Sequence, residues 1–201
     1  MHGLADIFLL RQLPLKNNFM TTYILLLRGI NVSGQKKIKM VDLKLALEKF
    51  GLKNVQTYIQ SGNVVFESDE LSKPILIASI ESLILKTFEF EVPVLLFEAK
   101  EIKLILENSP YLAAETVAAN HSYFVLFKTP AEDSLKQKLQ SETFLNEEFS
   151  ISSACIYLKC NVGYGKAKCN NNFFERKLKI QTTTRNYKTM SKIVALAGFF
   201  N

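Results

Sequence analysis

The chain has 201 residues, a formal net charge of +6 and a hydrophobic fraction of 48%, with 22% of its residues charged. This length suits one large domain or two small ones, and the composition is that of a globular protein rather than a disordered chain. The sequence contains only 2 histidines, His2 and His121, so neither a histidine-rich metal site nor a Ser-His-Asp triad is expected. The positive charge favours anionic partners through nonspecific attraction.

The cysteines and the apolar runs bear on where the protein works. Cys155, Cys160 and Cys169 fit neither a C-x-x-C motif nor a zinc spacing, so we expect buried, reduced thiols. No apolar run reaches the roughly 18 residues of a membrane span, and residues 1–19 form no convincing signal peptide. We therefore expect a cytoplasmic protein without a metal, a cofactor or a membrane partner.

Residues 1–19 are predicted to be a leader outside the fold, because Met20-Thr21-Thr22 runs directly into the first convincing strand. The elements predicted over residues 20–98 are a strand at 23–27, a helix at 40–50, strands at 55–59 and 63–67, a helix at 74–88 and a strand at 92–97. This order, β-α-β-β-α-β, is the ferredoxin-like arrangement.

The second part of the chain repeats most of this order. Residues 99–120 are predicted to hold a connecting helix and a linker, and residues 121–201 a second α+β half. Its predicted elements are a strand at 122–127, a helix at 132–139, strands at 149–151 and 156–158, and helices at 171–178 and 186–197. The sequence thus predicts an α+β fold, a ferredoxin-like βαββαβ half followed by a second, similar βαββαα half. The element order suggests duplication, although no repeat of residues is visible.

Polar loops break good strands at two places in the first half. In the ferredoxin-like order, strand one lies between strands three and four, so its end reaches the same edge as the hairpin between strands two and three. Arg28 and Asn31 are therefore expected to face Ser61 and Asn63. Gly62, in the hairpin turn, is predicted to have a positive φ, where a Cβ costs about 1 kcal/mol or more.

Two basic segments of the first half are candidates for binding an anion. The guanidinium of Arg28 suits a carboxylate or a phosphate, and a structural salt bridge is an equally good explanation. Lys36, Lys37 and Lys39 precede the first helix, where positive charge opposes the helix dipole and a bound anion would offset it. A solvated lysine run is the more common explanation of such a segment.

Two further candidates lie near the end of the chain. Gly163-Tyr164-Gly165-Lys166 precedes a helix but lacks both the Walker pattern and G-x-G-x-x-G, so a flexible loop with a basic residue is the safer interpretation. The run from Thr182 to Asn186 offers helix-capping residues, and backbone N–H groups there could accept an anion beside Arg185. Simple capping is the alternative.

Aromatic residues fall on predicted strands of the first half, namely Tyr23, Tyr58, Phe66 and Phe97. Stacking on RNA, as in RNA-recognition sheets, is one use for such residues. No RNP-like consensus is present, and core packing is their more common role. The carboxylates form no obvious catalytic pair.

Three stretches carry a resemblance that spans residues 22 to about 197. They are Leu26-Leu27-Arg28-Gly29-Ile30-Asn31-Val32 with Lys39-Met40, Thr57-Tyr58-Ile59-Gln60-Ser61-Gly62-Asn63-Val64-Val65-Phe66, and Gly163-Tyr164-Gly165-Lys166 through Thr184-Arg185-Asn186-Tyr187-Lys188-Thr189. These three stretches resemble the mainly bacterial domain of unknown function 1697, and we call them the family stretches. Ser33, Lys166 and Tyr187 stand where that family usually has Gly, Arg and Trp. The resemblance implies a two-part α+β fold and brings no established activity.

The leading hypothesis is an anion-binding protein with a basic, glycine-containing site for a nucleotide, a phosphorylated metabolite or a nucleic acid. Its candidate ligand-binding residues are Arg28, Asn31, Lys39, Ser61, Gly62, Asn63, Lys166, Arg185 and Asn186. An enzyme acting on a phosphorylated small molecule and a non-catalytic interaction module are the alternatives, and neither a catalytic residue nor an oligomeric state is indicated. The hypothesis predicts that Arg28 and Arg185 converge on one concave surface without a carboxylate partner.

Overall fold

The structure, a computed structural model, describes residues 20–32 and 34–198. The predicted leader, residues 1–19, lies outside the described residues. Within them, no helix is both long enough and apolar enough to cross a membrane.

The first half forms a four-stranded antiparallel sheet, sheet 1, with the order β2-β3-β1-β4. Its elements are β1 (Thr21–Leu27), α1 (Met40–Phe50), β2 (Lys53–Tyr58), β3 (Asn63–Ser68), α2 (Lys73–Phe88) and β4 (Val94–Glu98). β1 is the central strand that its apolar sequence predicts, because residues 22–27 are all buried. The ferredoxin-like arrangement of this half is confirmed.

The second half forms sheet 2, with the matching order β6-β7-β5-β8. Its strands and helices are β5 (Ser122–Phe127), α5 (Asp133–Gln140), β6 (Glu147–Ile151), β7 (Cys155–Cys160), α6 (Asn171–Leu178), β8 (Thr182–Asn186) and α7 (Tyr187–Ala197). Before it come α3 (Ala99–Glu107) and α4 (Ala114–Ala118), and a 3-10 turn at Tyr164–Lys166 precedes α6. The predicted α+β fold with two similar halves is confirmed.

One element differs from the prediction. Residues 182–186 form β8, which pairs with β5, instead of serving only as a cap for the last helix. The run Thr182-Thr183-Thr184 is β-branched, and such residues fit a pleated, half-buried surface. Only Asn186 acts as a cap, since its Oδ1 accepts the N–H of Thr189 over 2.8 Å. The second half is therefore a complete βαββαβ unit followed by α7.

Helices cover both faces of each sheet. On the outer face of sheet 1, Leu25 packs in one core with Leu43 of α1 and Ile80 of α2, and α5 and α6 cover sheet 2 in the same way. Because alternate strand residues point to opposite faces, the inner faces meet in a central core. That core also holds α3 and α7, and its buried residues include Ile24, Leu26, Ile102, Phe124, Leu126 and Met190.

The ends of the central strands β1 and β5 make equivalent contacts within their own halves. The residue after β1 is Arg28, whose N–H donates to the carbonyl of Pro93 over 3.0 Å, just before β4. The residue after β5 is Lys128, whose N–H donates to the carbonyl of Gln181 over 2.9 Å, just before β8. The two strand ends are therefore built alike.

Each of these cations also binds a glutamate from the other half. Arg28 pairs with Glu175 of α6, and Lys128 pairs with Glu81 of α2. Oε1 of Glu175 accepts the first N–H of β8, and Oε1 of Glu81 accepts the first N–H of β4. The two halves thus share equivalent single contacts as well as the similar order of elements that suggested duplication.

Candidate functional site

The end of β1 meets the β2–β3 hairpin, as the strand order predicts. The N–H of Leu27 donates to the carbonyl of Gly62 over 2.8 Å. Nδ2 of Asn31 donates to the carbonyl of Gln60 over 2.7 Å, and both polar atoms of that amide also bind the backbone of Ile38. Asn31 therefore fixes the shape of the loop after β1.

Gly62 has the predicted positive φ, at +75°. It is also buried, and a Cβ added there would lie 2.6 Å from Cβ of Leu27 and 2.8 Å from Cδ1 of Ile30. The turn requires glycine for its backbone conformation and for its close approach to β1.

Arg28 has a carboxylate partner in the other half of the chain. Its Nε donates to Oε1 of Glu175 over 2.8 Å and its Nη2 to Oε2 over 2.5 Å, which makes a bidentate ion pair. Nε also lies 3.0 Å from the carbonyl oxygen of Thr182. The prediction that Arg28 lacks a carboxylate partner is therefore wrong, because the fold brings α6 across to the end of β1. The alternative, a structural salt bridge, describes this residue.

Arg185, on β8, is only 8% exposed and is held by neutral acceptors. These acceptors are the side chains of Asn63 and Thr183 and the backbone carbonyls of Leu27, Ser61 and Thr184, at 2.5 to 3.0 Å. They occupy every N–H donor of the guanidinium. We call this set of contacts the Arg185 network.

Burial lowers the pKa of the Arg185 guanidinium to about 10, so the side chain stays protonated at neutral pH. Among the described residues no carboxylate binds it. Its donors nonetheless face the protein interior instead of a concave surface. Arg28 and Arg185 thus both lie at the junction of the halves, and both are held by protein acceptors.

Asn63 lies at the centre of the network and is fully buried. Its Nδ2 donates to the carbonyl of Tyr58 over 2.9 Å and to Oγ of Ser61 over 3.0 Å, while its Oδ1 accepts from Arg185. The amide therefore ties the end of β2 and the turn to β8. Because Arg185 also binds the carbonyl of Leu27, all three family stretches meet here.

The remaining candidates do not join this cluster. Lys39 stands exposed at the N-cap of α1, and Lys166 is exposed in the 3-10 turn. Tyr164, in the same turn, donates its hydroxyl to Thr184 of β8 over 3.0 Å and accepts the N–H of Asn171 over 3.1 Å. That segment therefore packs against β8 through the side chain of Tyr164.

Three of the four aromatic residues on the predicted strands lie in the core, and the fourth lies at a groove. Tyr23, Phe66 and Phe97 are at most 8% exposed, which confirms core packing for them. Tyr58 is only partly buried and reaches an open groove of about 500 Å³. The groove is lined by Tyr58, Val117, Tyr187, Lys188, Ser191, Lys192 and Ala195, and we call it the tyrosine groove.

One face of α7 forms most of the tyrosine groove. Lys188, Ser191, Lys192 and Ala195 follow one another at the i, i+3, i+4 and i+7 spacing that lies on one side of a helix. Met190, at a position between them, is buried in the central core. The sequence prediction did not single out this face, although its spacing is visible in the sequence.

The lining of the groove combines aromatic rings with positive charge. No carboxylate lines it, and Lys188 and Lys192 are exposed without an ion pair in the described part of the chain. Two like charges four residues apart lower the stability of a helix by roughly a few tenths of a kcal/mol. The positive end of the α7 dipole adds to the positive charge at this place. Oγ of Ser191 is buried without a hydrogen-bond partner. An anion in the groove would offset this excess of charge.

The other reactive side chains offer no alternative site. Burial raises the pKa of the Cys155 thiol to about 11 and the pKa values of the Cys160 and Cys169 thiols to about 12, so all three are protonated at neutral pH. Over residues 20–32 and 34–198, no group of histidine, cysteine, aspartate or glutamate side chains is arranged to hold a metal ion.

Two ferredoxin-like halves, joined by the Arg185 network and carrying an aromatic, basic groove, define the architecture. A family model described as "Protein of unknown function (DUF1697)" matches residues 20–157, and the chain belongs to this family. The solved structure of the conserved bacterial protein SP0830 from Streptococcus pneumoniae is similar, with a TM-score of 0.68 and 26% sequence identity. That comparison covers 89% of this chain and 99% of the other. No curated protein matches the chain.

Proposed function

We propose that the protein binds a nucleotide in the tyrosine groove. The observation that carries this proposal is the composition of the groove, since the side chains of two tyrosines and two lysines line one cavity without a carboxylate. Tyrosine rings offer a flat apolar surface to a base, and stacking on such a ring contributes about 1–3 kcal/mol per base. Lysine ammonium groups bind phosphate as point charges. A base with a phosphate matches both parts of the lining.

The position of the groove in the fold supports the same proposal. Tyr58 comes from the second family stretch, and Tyr187 and Lys188 come from the third. Asn63 binds the backbone of Tyr58 and the side chain of Arg185, which lies two positions before Tyr187. The Arg185 network therefore sets the position of β2 against α7. In this proposal Arg185 is a positioning residue, and the ligand contacts lie next to it.

A free nucleotide fits the geometry better than RNA spread over a sheet. Both faces of sheet 1 are covered, because α1 and α2 pack on one side and the central core lies on the other. Stacking of several bases on the strand aromatics, as RNA-recognition sheets do, would need one of these faces open. The groove has a volume of about 500 Å³, within the range of small-molecule sites.

We also propose that the protein works in the cytoplasm of a bacterium. Cys155, Cys160 and Cys169 are free thiols, and such thiols persist in a reducing compartment. The similar solved structure is that of a bacterial protein. The hydroxyl of Ser191 has no hydrogen-bond partner among the described residues, so it is not paired with a base as an activated nucleophile would be.

Binding measured by calorimetry tests the proposal, with AMP, GMP, adenosine, inorganic phosphate and short single-stranded RNA as ligands. We expect AMP or GMP to bind more tightly than adenosine or phosphate, because the groove contacts both the base and the charge. The double variant K188Q/K192Q is expected to weaken binding about tenfold or more, equivalent to 1.4 kcal/mol. Tyr187→Leu should weaken it as well, whereas Tyr187→Phe should keep most of it.

The matched control is the double variant K103Q/K138Q, which likewise removes two exposed charges, both outside the groove. It should leave binding unchanged. Nucleotide binding that survives in K188Q/K192Q, or an absence of binding at millimolar nucleotide, would overturn the proposal. RNA that binds far more tightly than either mononucleotide would assign the groove to a nucleic acid strand instead.

A further inference from the structure

Because the two halves are alike, the position that corresponds to the Arg185 network occurs a second time in the molecule. Different residues occupy that second position. Phe97 pairs with Ile24 as Arg185 pairs with Phe124, and Cys155 pairs with Leu126 as Asn63 pairs with Leu26. Phe97 thus replaces the arginine, and Cys155 replaces the amide that holds it. Neither side chain can make the polar contacts that join the halves at the Arg185 network.

A cavity of about 610 Å³ lies at this second place. Both halves contribute to it, and it is lined by Lys73, Pro74, Ile77, Leu96, Phe97, Glu101, Phe127, Lys128, Thr129, Pro130, Ser153 and Ala154. Ala154 precedes β7 as Gly62 precedes β3, so this cavity corresponds to the region that the hairpin turn and Arg185 fill on the other side. We call it the junction cavity.

Both lysines of the junction cavity have a carboxylate partner. The lining itself holds Lys73, Lys128 and Glu101. Lys73 binds Glu101 over 2.5 Å, and Lys128 binds Glu81, outside the lining, over 2.6 Å. An ammonium group has more N–H donors than these single contacts use. Each lysine therefore retains donors for a ligand while its ion pair stays intact.

We propose that the junction cavity binds a small organic acid, with an apolar body against Phe97, Phe127 and Ile77 and a carboxylate at Lys73 and Lys128. The unused N–H donors of the two ammonium groups suit an acceptor such as a carboxylate, whereas a cationic ligand would offer them no acceptor. The volume lies within the roughly 300–1,000 Å³ of small-molecule sites, which are mostly apolar with a few polar groups. This site is separate from the tyrosine groove and does not depend on the proposed function.

Anilinonaphthalene sulfonate, an apolar aromatic anion whose emission rises in an apolar site, is the probe for the test. Thr129→Trp places a large side chain at an exposed position of the lining. We expect it to weaken probe binding about tenfold or more. Lys73→Met should weaken binding as well, and octanoate should displace the probe where octylamine does not. Gln137→Trp, at an exposed position of α5 outside the lining, is the matched control and should change nothing.

Two further readouts separate this site from the tyrosine groove. Lys188→Gln should leave probe binding unchanged, and saturating nucleotide should not displace the probe. Absence of probe binding would overturn the proposal, and so would equal binding by wild type and Thr129→Trp. Displacement by octylamine as effective as displacement by octanoate would contradict the assignment of an acid. Loss of probe binding in Lys188→Gln would place the probe in the tyrosine groove and would also overturn the proposal.

Discussion

Arg185 holds a full positive charge in a place that water hardly reaches. The polar groups around it compensate for the lost hydration, and removal of the guanidinium leaves buried acceptors such as Oδ1 of Asn63 without donors. Each buried group left unsatisfied costs about 1–3 kcal/mol. We therefore expect Arg185→Met to lower the free energy of unfolding by about 2–4 kcal/mol, measured by denaturant titration.

The form of the guanidinium matters as well as its charge. Lysine has a single ammonium group and cannot reach the same set of acceptors, so Arg185→Lys should restore little of the lost stability. Lys138→Met, at an exposed position, should stay within about 0.5 kcal/mol of wild type. An Arg185→Met protein as stable as wild type would show that the network does not hold the halves together.

Gly62 gives a second prediction at this scale. Gly62 and Gly29 both have a positive φ, at +75° and +71°, but an added Cβ meets Leu27 only at Gly62 and meets nothing at Gly29. Gly29→Ala should therefore cost about 1 kcal/mol, the effect of the backbone conformation alone. Gly62→Ala should cost clearly more, because Leu27 and Ile30 must move, and Gly62→Val more again. Equal costs for the two alanine variants, measured by thermal and chemical unfolding, would contradict the close approach.

At the scale of elements, those that a local sequence pattern determines could be predicted, and those that depend on long-range pairing could not. Helix α1 was predictable because Met40, Leu43 and Leu47 recur at helical spacing and Gly51 ends the helix in a left-handed conformation. Strand β8 was not, because a run of threonines suits a helix cap as well as a strand. Its pairing with β5, far away in the chain, decided between the two.

The same distinction explains which parts of the site were predictable. The meeting of Asn31 with the hairpin followed from strand order within one half. The partner of Arg28 did not, because Glu175 lies 147 positions further along the chain, in the other half. The tyrosine groove likewise joins Tyr58 to α7 across the two halves. No local pattern in the sequence predicts contacts between the two halves.

The ion pair between Arg28 and Glu175 predicts a measurable coupling between β1 and α6. The side chains are 27% and 19% exposed, so solvent screens the pair in part. Arg28→Ala should lower the free energy of unfolding by about 1–3 kcal/mol, because a partly buried carboxylate is left behind. In a double-mutant cycle with Glu175→Ala, the coupling should exceed about 1 kcal/mol.

The exposed pair of Lys100 and Glu98 is the control for that cycle. Lys100 is 77% exposed, and solvent screens a surface pair of this kind strongly. Its coupling should be close to zero. A coupling between Arg28 and Glu175 no larger than that of the control pair would mean that the salt bridge adds nothing to the junction.

For the whole molecule, the central core makes each half depend on the other. Ile24, Leu26, Val65 and Leu95 of sheet 1 are at most 1% exposed in the complete chain, and they pack against groups from sheet 2, α3 and α7. Residues 20–98 alone would leave this face open to water. We expect that fragment to aggregate or to bind a hydrophobic dye without a cooperative unfolding transition, whereas the full chain unfolds in one step. A fragment that unfolds cooperatively, followed by circular dichroism, would show that the halves are independent domains.

The central claim is that the groove built at the junction of the halves binds a nucleotide. Two-dimensional NMR of the isotope-labelled full chain, titrated with AMP or GMP, tests the claim most directly because it locates the ligand. The account predicts saturable shifts of backbone signals at Tyr58 and over the first turns of α7, from Tyr187 to Lys192, with little change around Lys39 and Lys166. Shifts centred on those two lysines, or no saturable shifts at any position, would contradict it.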